Sequence, residues 1–131
     1  MNLMLSSLFV VVLFANAMGQ PTDYPKLLEA YGEASLGEMI EKKSPQELLS
    51  LEAFANKGWV ITEKKSNESL LEINIAEADY QNFNPLKANL KPISGSHTYY
   101  AIANSDLVLI IFSQERQQVL SERFKNNQKN Q

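Results

Sequence analysis

The run Leu107-Val108-Leu109-Ile110-Ile111-Phe112 is apolar at every position. Its length and its β-branched content suit a single pleated strand. A half-exposed strand alternates apolar with polar residues, so an unbroken run predicts a strand with neither face in water. Such a strand belongs at the centre of a sheet. One layer of helices covers only one face of it. The other face then needs another helix, the curled sheet itself or a second subunit.

The neighbouring segments supply the rest of an α+β chain. Thr98 to Ala103 reads as a strand joined to the apolar run by a turn at Asn104-Ser105-Asp106, which makes a central hairpin. Trp59 to Lys65, the turn Ser66 to Ser69, and Leu70 to Ala76 predict a second hairpin, with Leu71, Ile73 and Ile75 inward. Glu77 to Pro85 reads as a loop. Leu86 to Pro92 alternates again and is expected as an edge strand, guarded by its lysines and by Pro92.

Upstream of Trp59 the apolar period is 3.6. Ser44, Pro45 and Glu47 form a capping-box start, Leu48, Leu51, Phe54 and Ala55 form the stripe, and Gly58 supplies the stop. Thr22 to Lys43 is also helical, with Thr22 or Asp23 as cap and Leu28, Tyr31, Ser35, Leu36, Met39 and Ile40 near one face. Gly32 and Gly37 each cost about 1 kcal/mol relative to alanine, so this is one helix or two short ones. Ser113 caps a last helix that turns Val119, Leu120 and Phe124 inward. The expected fold is α+β: two N-terminal helices, a four- to five-stranded mainly antiparallel sheet, and one C-terminal helix.

The first residues differ in kind. Leu3 to Ala15 is almost wholly apolar but shorter than the about 20 residues a membrane helix needs, which fits the apolar region of a signal peptide. Small residues at Ala15, Ala17 and Gly19 suit a signal peptidase. Residues 1–19 are read as the signal peptide, with cleavage after Gly19 and cleavage after Ala17 as the alternative. Residues 20–125 form a single domain, and 126–131 a disordered polar tail. The expected location is periplasmic or extracellular, in a bacterium, with no stable membrane insertion after cleavage.

Composition narrows the chemistry. Residues 1–19 carry no charged side chain, so the mature chain keeps the net charge of −3. No basic stripe with interleaved aromatics occurs, which argues against a nucleic-acid partner. Cysteine is absent, which removes thiol nucleophiles, redox motifs and thiolate-bound zinc. No phosphate-cradling loop and no nucleophile elbow is present, and no cofactor is expected.

The residues with chemical promise are few. His97 is the single histidine and could serve as base or ligand, but it has no second histidine to share a metal with. Glu77 and Asp79 stand two apart and are the carboxylates that could join it. The plainer readings are an exposed loop histidine and solvated acids. Ser94, Gly95, His97, Tyr99 and Tyr100 make up the other candidate, a binding loop with two tyrosines behind it.

Ser94-Gly95-Ser96-His97-Thr98-Tyr99 resembles, one position out of step, the S-G-x-x-Y loop with which bacterial periplasmic lysozyme inhibitors plug the enzyme's cleft. Thr98 stands where that motif has tyrosine. The similarity covers these six residues. The helices and the lack of cysteine depart from that family, so the resemblance implies a class of role and no membership. The expectation is a non-enzymatic exported protein that binds an envelope or secreted protein, or forms a homo-oligomer. The alternative is a small hydrolase or ligand carrier built on Glu77, Asp79 and His97.

Overall fold

The computed structural model describes residues 19–129, apart from Ser66 and the side chain of Lys129. The signal-peptide reading falls on residues of which all but Gly19 lie outside the described ones. Helices α1 (Pro25–Lys42) and α2 (Pro45–Lys57) precede strands β1 (Trp59–Glu63), β2 (Leu71–Ile73), β3 (Thr98–Ile102) and β4 (Leu107–Ile111), and helix α3 (Gln114–Lys129) follows. The sheet order is β1-β4-β3-β2. The fold is α+β, as expected. α3 carries the helix through to Lys129, into the segment whose composition reads as tail.

The sheet is mixed, which corrects the expectation of a mainly antiparallel one. The β3–β4 hairpin is central, with Tyr100 opposite Leu109. β1 and β2, however, do not pair with each other. β1 runs antiparallel along β4, and β2 runs parallel along β3 on the opposite edge. Two causes act together. The segment between β1 and β2 lacks the Asn-Gly or Gly-X pair that would drive a tight hairpin turn. The apolar β4 also needs a neighbour on each side, and β1 supplies the second.

The supposed edge strand at Leu86 to Pro92 is a series of turns. Asn84 Oδ1 accepts from Leu86 N at 3.1 Å, and Lys87 N, Asn89 N and Leu90 N donate to Asn84, Leu86 and Pro85 carbonyls. With those donors satisfied locally, no ladder forms. Leu86 and Leu90 pack on the core at a four-residue spacing that a strand pattern imitates. Two further residues depart from their expected side. Leu71, at the end of the short edge strand β2, is 74% exposed, and Val119 on α3 is exposed as well.

Register assigns the two sheet faces. Trp59–Ile111, Ile61–Leu109–Tyr100 and Ile73–Ile102 are cross-strand partners, and all of them belong to the core or pack against it. Leu27, Leu36, Leu48 and Phe54 from the helices meet them there, with Phe83 and Leu86 from the long connection. α2 touches both α1 and α3, and Ser50 Oγ meets Ser121 Oγ at 2.9 Å between α2 and α3.

The start of α1 is closed from a distance. Tyr24 provides no side-chain cap, Pro25 has no N–H, and the first helical bond runs from Leu28 N to Tyr24 O. That leaves the amides of Lys26 and Leu27 without a partner inside the helix. Both donate to the carboxylate of Glu52 on α2, at 3.0 and 3.1 Å to Oε1. Asn56 Nδ2 donates to Glu52 Oε2 at 2.6 Å. Glu52 is 2% exposed, and its negative charge meets the positive end of the α1 dipole.

Gly32 divides α1. Its backbone, at φ 83 and ψ 166, is non-helical and belongs to a region essentially confined to glycine. Gly37 lies in the same helix with open space around the position of a Cβ. Two predictions follow from these contacts. Gly32→Ala is expected to lower stability by about 1–3 kcal/mol, while Gly37→Ala raises it by about 0.5–1 kcal/mol, both read from urea midpoints. Glu52→Ala is expected to cost about 2–4 kcal/mol and Glu52→Gln less, because the amide oxygen still accepts one bond.

Candidate functional site

The outward rows of the sheet are Val60–Ile110–Tyr99 and Thr62–Val108–Ala101. Neither row belongs to the core cluster. Tyr99 is 46% and Val60 38% exposed, while Val108 is buried. Val108 and Ile110 floor a cleft of about 320 Å³ whose sides are Tyr99, Leu70, Lys64 and Lys65. Thr62, Glu63 and Glu68 also line it, so apolar side chains and charges of both signs share the cleft. The second tyrosine of the pair, Tyr100, points the other way and packs against the core. Strand alternation divides the two candidates between the faces.

The loop from Ser94 to His97 is fastened to the start of α3 through Ser94, Gly95 and His97. Gln114 N donates to Ile93 O at 2.8 Å. Ser94 Oγ donates to Glu115 Oε1 at 2.7 Å, and Gly95 N reaches both carboxylate oxygens at 3.1 Å. Ser113 N donates to His97 Nδ1 at 2.9 Å. Gly95 makes the bend possible with φ +89. The composition of the loop suggests flexibility; its bonds make it a clasp.

Two of these groups have defined electrostatics. The Ser94 hydroxyl and then the Gly95 amide hold the Glu115 carboxyl down at about 2, from an ordinary 4.5. A carboxylate in the first helical turn also complements the helix dipole. His97 accepts through Nδ1, so the proton of the neutral ring is on Nε2. Its ring meets Phe112 edge-on, with centroids 5.4 Å apart.

Glu77 and Asp79 lie in a 3-10 turn after β2, whereas His97 precedes β3. Parallel pairing sets the end of β2 beside the end of β3, with Ile73 opposite Ile102. None of the five principal clefts among the described residues is lined by His97 or Glu77, and Asp79 lines a polar cleft with Glu29 and Lys87. Among the described residues no group of three or more histidines and acids is placed to hold a metal ion. Sequence reasoning did not single out Glu115 or Val60, and it read Ile110 and Phe112 only as part of the central strand. Only strand alternation around Tyr99 could have pointed to Val60 and Ile110.

No family model, curated protein or solved structure matches the chain.

Glu115 makes the acid limb of stability testable. Its folded-state value lies below the ordinary 4.5, so its charged form stabilises the fold above that pH. The contribution is lost as the pH falls toward about 2. Wild type should exceed Glu115→Gln in urea midpoint at neutral pH, with the gap closing over that acid interval. A gap of constant size down to the acid end would show that the carboxylate is not what fastens the loop.

Proposed function

We propose that this chain is a small exported, non-enzymatic protein whose open sheet face binds another macromolecule. The partner is an envelope or secreted protein, or a second copy of the chain. The observation that carries the reading is the apolar row Val60–Ile110–Tyr99, in register across three strands on the face away from the helices. A central apolar strand favours cover on both sides, and here the helical layer lies on one. Apolar and charged groups together, as in the cleft beside this row, are the usual make-up of a protein interface. A half-exposed tyrosine is the type of residue that anchors one.

The enzyme alternative draws no comparable support. Its three candidate groups do not share a cleft among the principal ones, and His97 is engaged by Ser113 N–H. The export reading rests on Leu3 to Ala15 and the small residues that follow. Among the described residues no helix is long and apolar enough to cross a membrane.

The test pairs export with binding. Expressed in a bacterium, the chain should be recovered from the periplasm or medium beginning at Gln20. Recovery only from the cytoplasm with Met1 intact would remove the export part. The variant Val60→Lys with Tyr99→Glu should keep its fold by circular dichroism. It should weaken cross-linked capture of the envelope partner, or self-association by light scattering, by about tenfold or more. A folded variant that captures and associates as wild type does would overturn the choice of face.

A further inference from the structure

The bond between Ser113 N and His97 Nδ1 exists only while that nitrogen keeps its lone pair. An imidazolium carries N–H on both nitrogens and cannot accept. Protonation would also set two N–H groups against each other and add positive charge at the positive end of α3. From this geometry we infer that His97 is a proton-operated catch that releases the end of the Ser94–His97 loop from the α3 N-terminus.

The surroundings keep the other end of the loop fastened. The charged and titratable groups on the elements beside it are Glu115 and Arg116 at the start of α3, Tyr99 in β3, and Glu68, which lines one cleft with Tyr99 ahead of β2. Of the two carboxylates, Glu115 is the one bonded to the loop, and its oxygens already accept from Ser94 Oγ and Gly95 N. It remains ionised throughout the range in which histidine titrates. The Ser94–Gly95 end therefore stays fastened while the His97 end opens. Gly95, at φ +89, lies between the two as the hinge. His97 is also the one histidine in the chain, so no other imidazole titrates beside it.

Opening is local but not remote from the open face. Thr98 begins β3 directly after His97, Tyr99 follows, and Phe112 loses the ring that meets its edge. Acidification is thus expected to loosen one border of the Val60–Ile110–Tyr99 surface. That consequence rests on the binding reading above; the catch itself does not.

The experiment needs no partner. In ¹⁵N-labelled protein the His97 Nδ1 resonance should report an unprotonated nitrogen at alkaline pH, and the pH is then lowered until that resonance reports protonation. Over that interval the Ser113 amide proton should move upfield, and its exchange protection, normalised to an unfolded chain, should fall about tenfold, the equivalent of one hydrogen bond. In His97→Asn the side-chain oxygen can take the place of Nδ1 and does not titrate, so the Ser113 amide should hold at both ends. A wild-type Ser113 amide that stays unchanged while the ring protonates would falsify the catch. An equal change in His97→Asn would do the same, since the cause would then lie elsewhere.

Discussion

The carboxylate of Glu52 is the joint on which the packing of this chain turns. Buried on α2, it accepts from the Lys26 and Leu27 amides at the open end of α1 and from Asn56 within its own helix. A charge taken out of water persists only when its lone pairs are filled, and here backbone and amide donors fill them. The contact fixes where α1 begins relative to α2. It sets Leu27, fully buried, over the sheet.

The long connection between β2 and β3 depends in turn on α1. Asn84 Nδ2 donates to Lys26 O at 2.8 Å, and Lys26 Nζ donates to Asn82 O at 3.1 Å. This holds Phe83 against Trp59, ring edge to ring face at 5.3 Å between centroids, and keeps Leu86 in the core. The connection thus does the covering work of a further helix while returning the chain to lie parallel to β2. All of this cover is on one face of the sheet. The opposite face keeps its apolar row, which is why function is sought there.

Each of the three α-helices begins with a different solution to the same shortage of acceptors. Ser44 caps α2 through its own side chain, accepting from Glu47 N at 3.2 Å. α1 borrows Glu52. α3 combines a local cap, Ser113 Oγ accepting from Arg116 N, with acceptors from the loop at Ile93 and His97. A loop with serines and a lone histidine looks like chemistry in one dimension. In three dimensions Ser94, Gly95 and His97 bond the α3 terminus, and the neighbouring Tyr99 stays half-exposed.

What could be read directly from the residues is whatever depends on neighbours in the chain. The α+β class, the Ser44–Pro45–Glu47 helix start, the weakness of the first helix at Gly32 and Gly37 and the central β3–β4 hairpin all follow from local periodicity, capping and turn chemistry. The central place of the apolar strand Leu107 to Ile111 was legible for the same reason. Tertiary structure alone decided that β1 and β2 occupy opposite edges and that Leu86 to Leu90 turns instead of pairing. It also decided that Tyr99 and Tyr100 part to opposite faces, one open and one packed. It alone brought Glu52 to Lys26 and Glu115 to Ser94. Those contacts join residues 26 and 21 positions apart, and no spacing rule reaches that far. A donor left over at a helix end can be foreseen from sequence; which distant acceptor fills it is settled only when the packed layers bring the two together.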